Sequence, residues 1–386
     1  MASRHRWLIL FSLFYTFVAY AFVFQAIPPL ISSLMSEFDV EHAAEAGLLM
    51  AIVVLPGIIL ALPLGLVVDR YGIKTIGLIS TVLTTVGSLI SATANSFPML
   101  LLGRLVLGIG AAYIVTALPA IIPQWFSRQE MGKAMGLYGT NMPIATVAAF
   151  PVATLLMLTY GTWRVPLYVG TVFAASAIAV FTVFVKEGPL RQTERKKISM
   201  RRTLVNSELW KAGLVWLFFQ VTTISFLTWA ETLFQTHKGL DPLSASILAI
   251  TLMLTTIPLV PLFGWLSDRS GQRKPFLVAG PVIMALAMIA TAYTNGLFLV
   301  ASVVLLGVGA ATVPAVVSAL PPEILKPDEV GVGFGVMAVC LNLGAAVAAP
   351  LLGYFYDVTG SLTLSFAVIA VFSLLGTAAA YTLKSN

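Results

Sequence analysis

"GLVVDRYGIKT", residues 65–75, joins two long apolar stretches and sets Asp69, Arg70 and Lys74 within six positions of a chain that is otherwise nearly uncharged. Two apolar spans joined by about six residues need glycine where the backbone reverses, and Gly65 and Gly72 flank Asp69 and Arg70. A carboxylate at such a turn can face the positive N-terminal end of a neighbouring helix. Arg70 and Lys74 can then pair with acids or lipid headgroups on the same side.

The sequence around the turn belongs in a bilayer. Of 386 residues, 59% are hydrophobic and 10% charged, whereas about a quarter of the residues of a soluble domain carry charge. A membrane-crossing helix needs roughly 20 apolar residues. Runs of that kind predict spans near 7–34, 46–68, 75–95, 98–125, 134–159 and 165–185, then near 212–236, 243–266, 275–293, 296–320, 331–356 and 363–383. The expected organisation is therefore a six-span bundle over 1–185, a basic linker over 186–211 and a second six-span bundle over 212–386. The first apolar run continues well past the Ala19 to Ala21 small-residue site, as a retained span does and a cleaved signal does not.

Basic residues give the orientation. With the N-terminus cytoplasmic, every Lys and Arg except Arg104, Arg164 and Lys238 falls in a cytoplasmic segment, which satisfies the positive-inside tendency with both termini inside. The net charge of +6 thus reports topology, and no nucleic-acid partner is expected. The lone Cys340 excludes an internal disulfide. His5, His42 and His237 show no ligand spacing, so no metal is expected, and no cofactor either. A phosphate-cradling Gly-Lys-Ser or Gly-Lys-Thr is missing, which argues against ATP-driven transport. No nucleophile, base and orienting group can be assembled from the spans, so an enzyme is not expected.

The turn recurs as "GWLSDRSGQRK", residues 264–274, where Gly264, Asp268, Arg269, Gly271 and Arg273 stand 199 positions after Gly65, Asp69, Arg70, Gly72 and Lys74. At the same shift "LGIGAA" from Leu107 meets "LGVGAA" from Leu306, Glu130 meets Glu329, and Pro151 meets Pro350. The halves are copies in the same orientation. Parallel six-span repeats are a transporter architecture with its site near the bilayer midplane.

With these residues in view, the chain resembles the major facilitator superfamily over its whole length. Gly65-x-x-x-Asp69-Arg70-x-Gly72-x-Lys74 is similar to that family's signature between spans two and three, and Arg104 with Gly108 and Gly110 resembles its second motif, in span four. The resemblance implies an all-α fold of twelve helices in two pseudo-symmetric bundles, and a turn cluster that latches the cytoplasmic ends in one state and releases them in another. A topology marker is the plainer reading of that cluster, though topology alone would not require the aspartate.

Two charges lie inside the spans away from their ends, Arg104 and Glu231. A charge at such depth is costly and marks function by default. Arg104 suits an anionic substrate or a proton step; alternatively it bonds carbonyls of a neighbouring helix. Its counterpart in the second half is Val303, so it is not part of the shared scaffold. Glu231 is a candidate proton-coupling carboxylate, or an interfacial residue reaching water. Gln220 lies eleven residues earlier on the same helical face. Tyr113, Tyr138, Asn141 and Asn342 are weaker cavity-lining candidates, since a lone polar residue in a span more often bonds a neighbouring helix.

The function expected is secondary active transport of a small organic or inorganic anion across the cell membrane by alternating access. The partners are a small solute or ion, the lipid bilayer and, as one candidate coupling ion, protons; a monomer is expected. A proton-coupled exporter of amphipathic drugs is the rival in class, weakened because "GLYGTNMPIATVAAFPVA" departs from the Gly-Pro-x-x-Gly run that resemblance to such exporters would require. A non-transporting receptor or scaffold is the rival outside it.

Overall fold

The computed structural model describes residues 2–60, 71–126, 130–186, 200–326 and 329–384. Gly65, Asp69 and Arg70, and half of the expected linker, lie outside the described residues. Among the described residues twelve helices are long and apolar enough to cross a membrane, and no strand forms. They are α1 (Ala2–Gln25), α2 (Ala43–Leu60), α3 (Ile73–Ala92), α4 (Phe97–Thr116), α5 (Asn141–Tyr160) and α6 (Arg164–Phe184), followed by α7 (Ser207–Thr236), α8 (Pro242–Ser270), α9 (Lys274–Tyr293), α10 (Gly296–Val317), α11 (Val330–Thr359) and α12 (Leu362–Tyr381).

Proline divides what hydropathy reads as continuous. The span expected over 7–34 is broken: α1 ends at Gln25, a 3-10 turn covers Pro28–Leu30, and a short helix Ile31–Glu37 follows. Pro28 has no N–H to donate, so the carbonyl four residues back, at Phe24, loses its helical partner. The span expected over 98–125 likewise leaves α-geometry at Thr116 and continues as a 3-10 segment, Leu118–Gln124, containing Pro119 and Pro123. By contrast α7 begins five residues before the expected 212, because Asn206 accepts from the N–H groups of Glu208 and Leu209 and so caps the helix early.

The chain divides into two compact units, Met1–Phe38 with Ile52–Arg195, and Asp39–Ala51 with Lys196–Asn386. The division falls within α2, whose opening turns belong to the second unit. There Asp357 of α11 accepts from the N–H groups of Ala43 (2.8 Å) and Ala44 (2.9 Å), satisfying two of the donors a helix start leaves open.

The internal repeat is visible in how each unit packs. In the first, Gly108 of α4 lies against the Val53 carbonyl of α2, where a Cβ would collide with it. In the second, Gly307 of α10 meets the Leu252 carbonyl of α8. Both members of the second pair stand 199 positions after those of the first. Because lipid is as apolar as leucine, helices here associate through close backbone approach rather than apolar burial, and small residues permit it.

Candidate functional site

In the first unit the site is built around the break in α1. Arg104 of α4 is 0% exposed. Its Nη1 donates to Val23 O at 3.1 Å and its Nη2 to Phe24 O at 3.2 Å, carbonyls of the last turn of α1, which the break deprives of helical donors. The guanidinium also lies 5.6 Å from the centre of the Phe24 ring. Of the two readings of Arg104, the bonds to carbonyls are therefore present. They orient the group.

A ladder of rings descends α1 from that point. Phe24 stacks on Tyr20 at 6.1 Å, Phe17 meets Tyr20 edge-on at 5.7 Å, and Phe17 meets Tyr138 at 6.0 Å. Positions 17, 20 and 24 share one helical face. The Tyr138 hydroxyl is buried without a partner among the described residues. Tyr113, in contrast, donates to Ile73 O at 2.6 Å. Asn141 turns back on its own helix start, its Oδ1 accepting from Met142 N at 2.6 Å. Hydropathy concealed one further residue. Gln25, 0% exposed, closes α1, and its Nε2 donates to Thr146 Oγ1 of α5 at 2.9 Å. An amide just before a proline-broken span was the available signal.

In the second unit Glu231 of α7 is 1% exposed, and its Oε1 accepts from Gln235 Nε2 at 3.2 Å. Gln235, one turn on, was not singled out from the sequence. Trp229 Nε1 donates to Ala349 O at 3.0 Å and Ser225 Oγ to Ala348 O at 2.8 Å, fixing α7 against α11 just before Pro350. Gln220 is half-buried. Asn342 Nδ2 donates within its own helix to Ala338 O at 2.9 Å, so its donor serves the backbone.

The second copy of the charged turn is ordered around Arg273. Its Nη1 lies 2.6 Å from Asp268 Oδ1 and donates to Ser267 Oγ at 3.0 Å; its Nη2 reaches Glu323 Oε1 at 2.9 Å. Burial works against the charged form, and the hydrogen bonds that Arg273 donates to Glu323 and Asp268 outweigh it, leaving the guanidinium above its ordinary value. Arg269 lies over Trp265 at 5.2 Å. Gly271 ends α8 at φ 65°, and Gly72 precedes α3 at φ 83°, the conformation that favours glycine at these two reversals. Lys74, in the first copy, is half-buried at the start of α3. No group of three or more metal-ligating side chains occurs among the described residues.

The sequence profile of the Major Facilitator Superfamily matches residues 9–255 and 230–385. The nitrite extrusion protein of Bacillus subtilis is 23% identical over 354 residues, covering 89% of this chain and 87% of that protein. Monocarboxylate transporter 13 of Bos taurus is 27% identical over 326 residues, covering 81% and 74%. Other relatives are named as dipeptide and hexuronate transporters. A bacterial homologue of the human lysosomal transporter Spinster, solved inward-facing and occupied, superposes with a TM-score of 0.81 at 16% identity, over 97% of this chain and 96% of that one.

Proposed function

Since the chain belongs to the Major Facilitator Superfamily, and is thus a multi-pass membrane transporter, we propose that it moves a small organic or inorganic anion across the cell membrane by alternating access, with both termini cytoplasmic. The observation that supports the anion is Arg104, a guanidinium wholly buried at the broken end of α1 and held there by two carbonyls. In an apolar surround of low dielectric its attraction for an anion is several times what water would allow. Nitrite, monocarboxylate and hexuronate, in the names of the relatives, are all anions.

Glu231 is the proposed coupling carboxylate. It is buried, and its hydrogen bond from Gln235 can persist while the carboxyl gains or loses a proton. The Asp268, Arg273 and Glu323 cluster, with Asp69 and Arg70 in its first-half counterpart, is the proposed latch.

Binding of nitrate, short carboxylates and a lipophilic phosphonium cation to the purified protein tests the reading. The anions are expected to bind, and Arg104→Ala to weaken them about tenfold or more, the size of a lost charge-assisted hydrogen bond. Anion affinity unchanged in Arg104→Ala, or binding confined to the cation, would overturn it.

A further inference from the structure

Gln25 closes α1 beside the Phe24 carbonyl that Arg104 holds, and proton accounting fixes which way round its amide lies. Thr146 Oγ1 donates its single proton to Met142 O at 2.9 Å. Its oxygen can therefore only accept from Gln25, and the partner at 2.9 Å must be Nε2. Gln25 Oε1 is thereby left as a buried acceptor without a donor among the described residues, on a residue 0% exposed.

An amide oxygen accepts and cannot donate. A tyrosine hydroxyl such as Tyr138 can do either and so does not discriminate; Gln25 Oε1 does. Nitrate, nitrite or a plain ionised monocarboxylate offers only acceptors and leaves that oxygen unsatisfied. A solute with a hydroxyl or amide N–H near its carboxylate satisfies it while the carboxylate faces Arg104. We infer that Gln25 is a solute-binding residue and that the solute is an organic acid bearing a hydrogen-bond donor, a hydroxy or amido acid, rather than an acceptor-only anion. The inference rests on the anion reading proposed above.

Calorimetric titration of the purified full chain with matched pairs, glycolate against acetate and lactate against propionate, tests it. The hydroxylated member of each pair is expected to bind about tenfold tighter, because a site built for a donor penalises the analogue lacking it. Gln25→Met keeps the volume and removes the acceptor, so the two affinities are expected to converge to within about twofold. Should that variant not fold, Thr146→Val removes the anchor orienting the amide and is expected to cut the preference about threefold. A preference that survives these changes, or equal affinities in the unaltered protein, overturns the inference. Equal affinities that Arg104→Ala still weakens leave the anion reading standing. If neither acid binds, or both bind regardless of Arg104, that reading fails and takes this inference with it.

Discussion

Arg104 joins two demands in one side chain. Its carbonyl bonds complete a helix that Pro28 interrupts, and its buried charge is the group proposed to recognise the anion. Arg104→Ala leaves two buried carbonyls without donors, at about 1–3 kcal/mol each. Thermal unfolding in detergent is therefore expected to move to distinctly lower temperature, together with the loss of anion binding. Arg104→Lys separates the two effects. An ammonium keeps the charge but lacks the planar fork that spans two acceptors, so part of the anion affinity is expected to persist while the unfolding temperature still falls. Affinity and stability falling in strict parallel across both variants would reduce the arginine to a structural residue. Arg273 illustrates the opposite balance. Its value is raised, so what its charge contributes to stability is fully present below the ordinary arginine range and is lost only as pH rises through the raised value. No change in its ion pairs is expected across neutral pH, as a flat unfolding temperature of the native chain relative to Arg273→Gln would verify.

At the scale of elements, contacts are made by backbones approaching one another. Gly108 against Val53 and Gly307 against Leu252 are the same contact made twice. A side chain at either place forces α4 from α2, or α10 from α8, and overpacking of this kind costs about 1–3 kcal/mol. Gly108→Val and Gly307→Val are expected to lower the unfolding temperature by similar amounts; an effect in one and none in the other would separate packing from the repeat. Asp357 gives a second prediction. Its two bonds to the start of α2 stand in for a cap, so Asp357→Ala is expected to lose about 1 kcal/mol, with Asp357→Asn, which keeps one acceptor, losing less.

For the whole molecule the duplicated turn is the feature to test. If the Asp268 cluster is a latch, Asp268→Asn weakens its hold on Arg273 and changes how often the protein changes state, not how tightly it holds solute. Counterflow in reconstituted vesicles is expected to slow while solute affinity stays within about twofold, and Asp69→Asn is expected to behave alike. Equal transport rates would leave topology as the role of both turns. The number of spans and the duplication were legible in sequence because each residue meets lipid on its own account: an apolar run of sufficient length crosses wherever it stands in the chain, and copied segments stay recognisable. The break in α1 was half legible, as Pro28 is in plain view but its consequence for the Phe24 carbonyl depends on Arg104.

The sequence by itself determined the twelve spans, the internal copy and the two charges placed inside the spans, all properties of short stretches read against a uniform solvent. Only tertiary structure decided which polar atoms find partners. Those partners come from far along the chain, 81 residues between Arg104 and Val23, 121 between Gln25 and Thr146, and 314 between Asp357 and Ala43. A hydrogen bond is satisfied by position in space, and no local pattern records which distant helix will supply it.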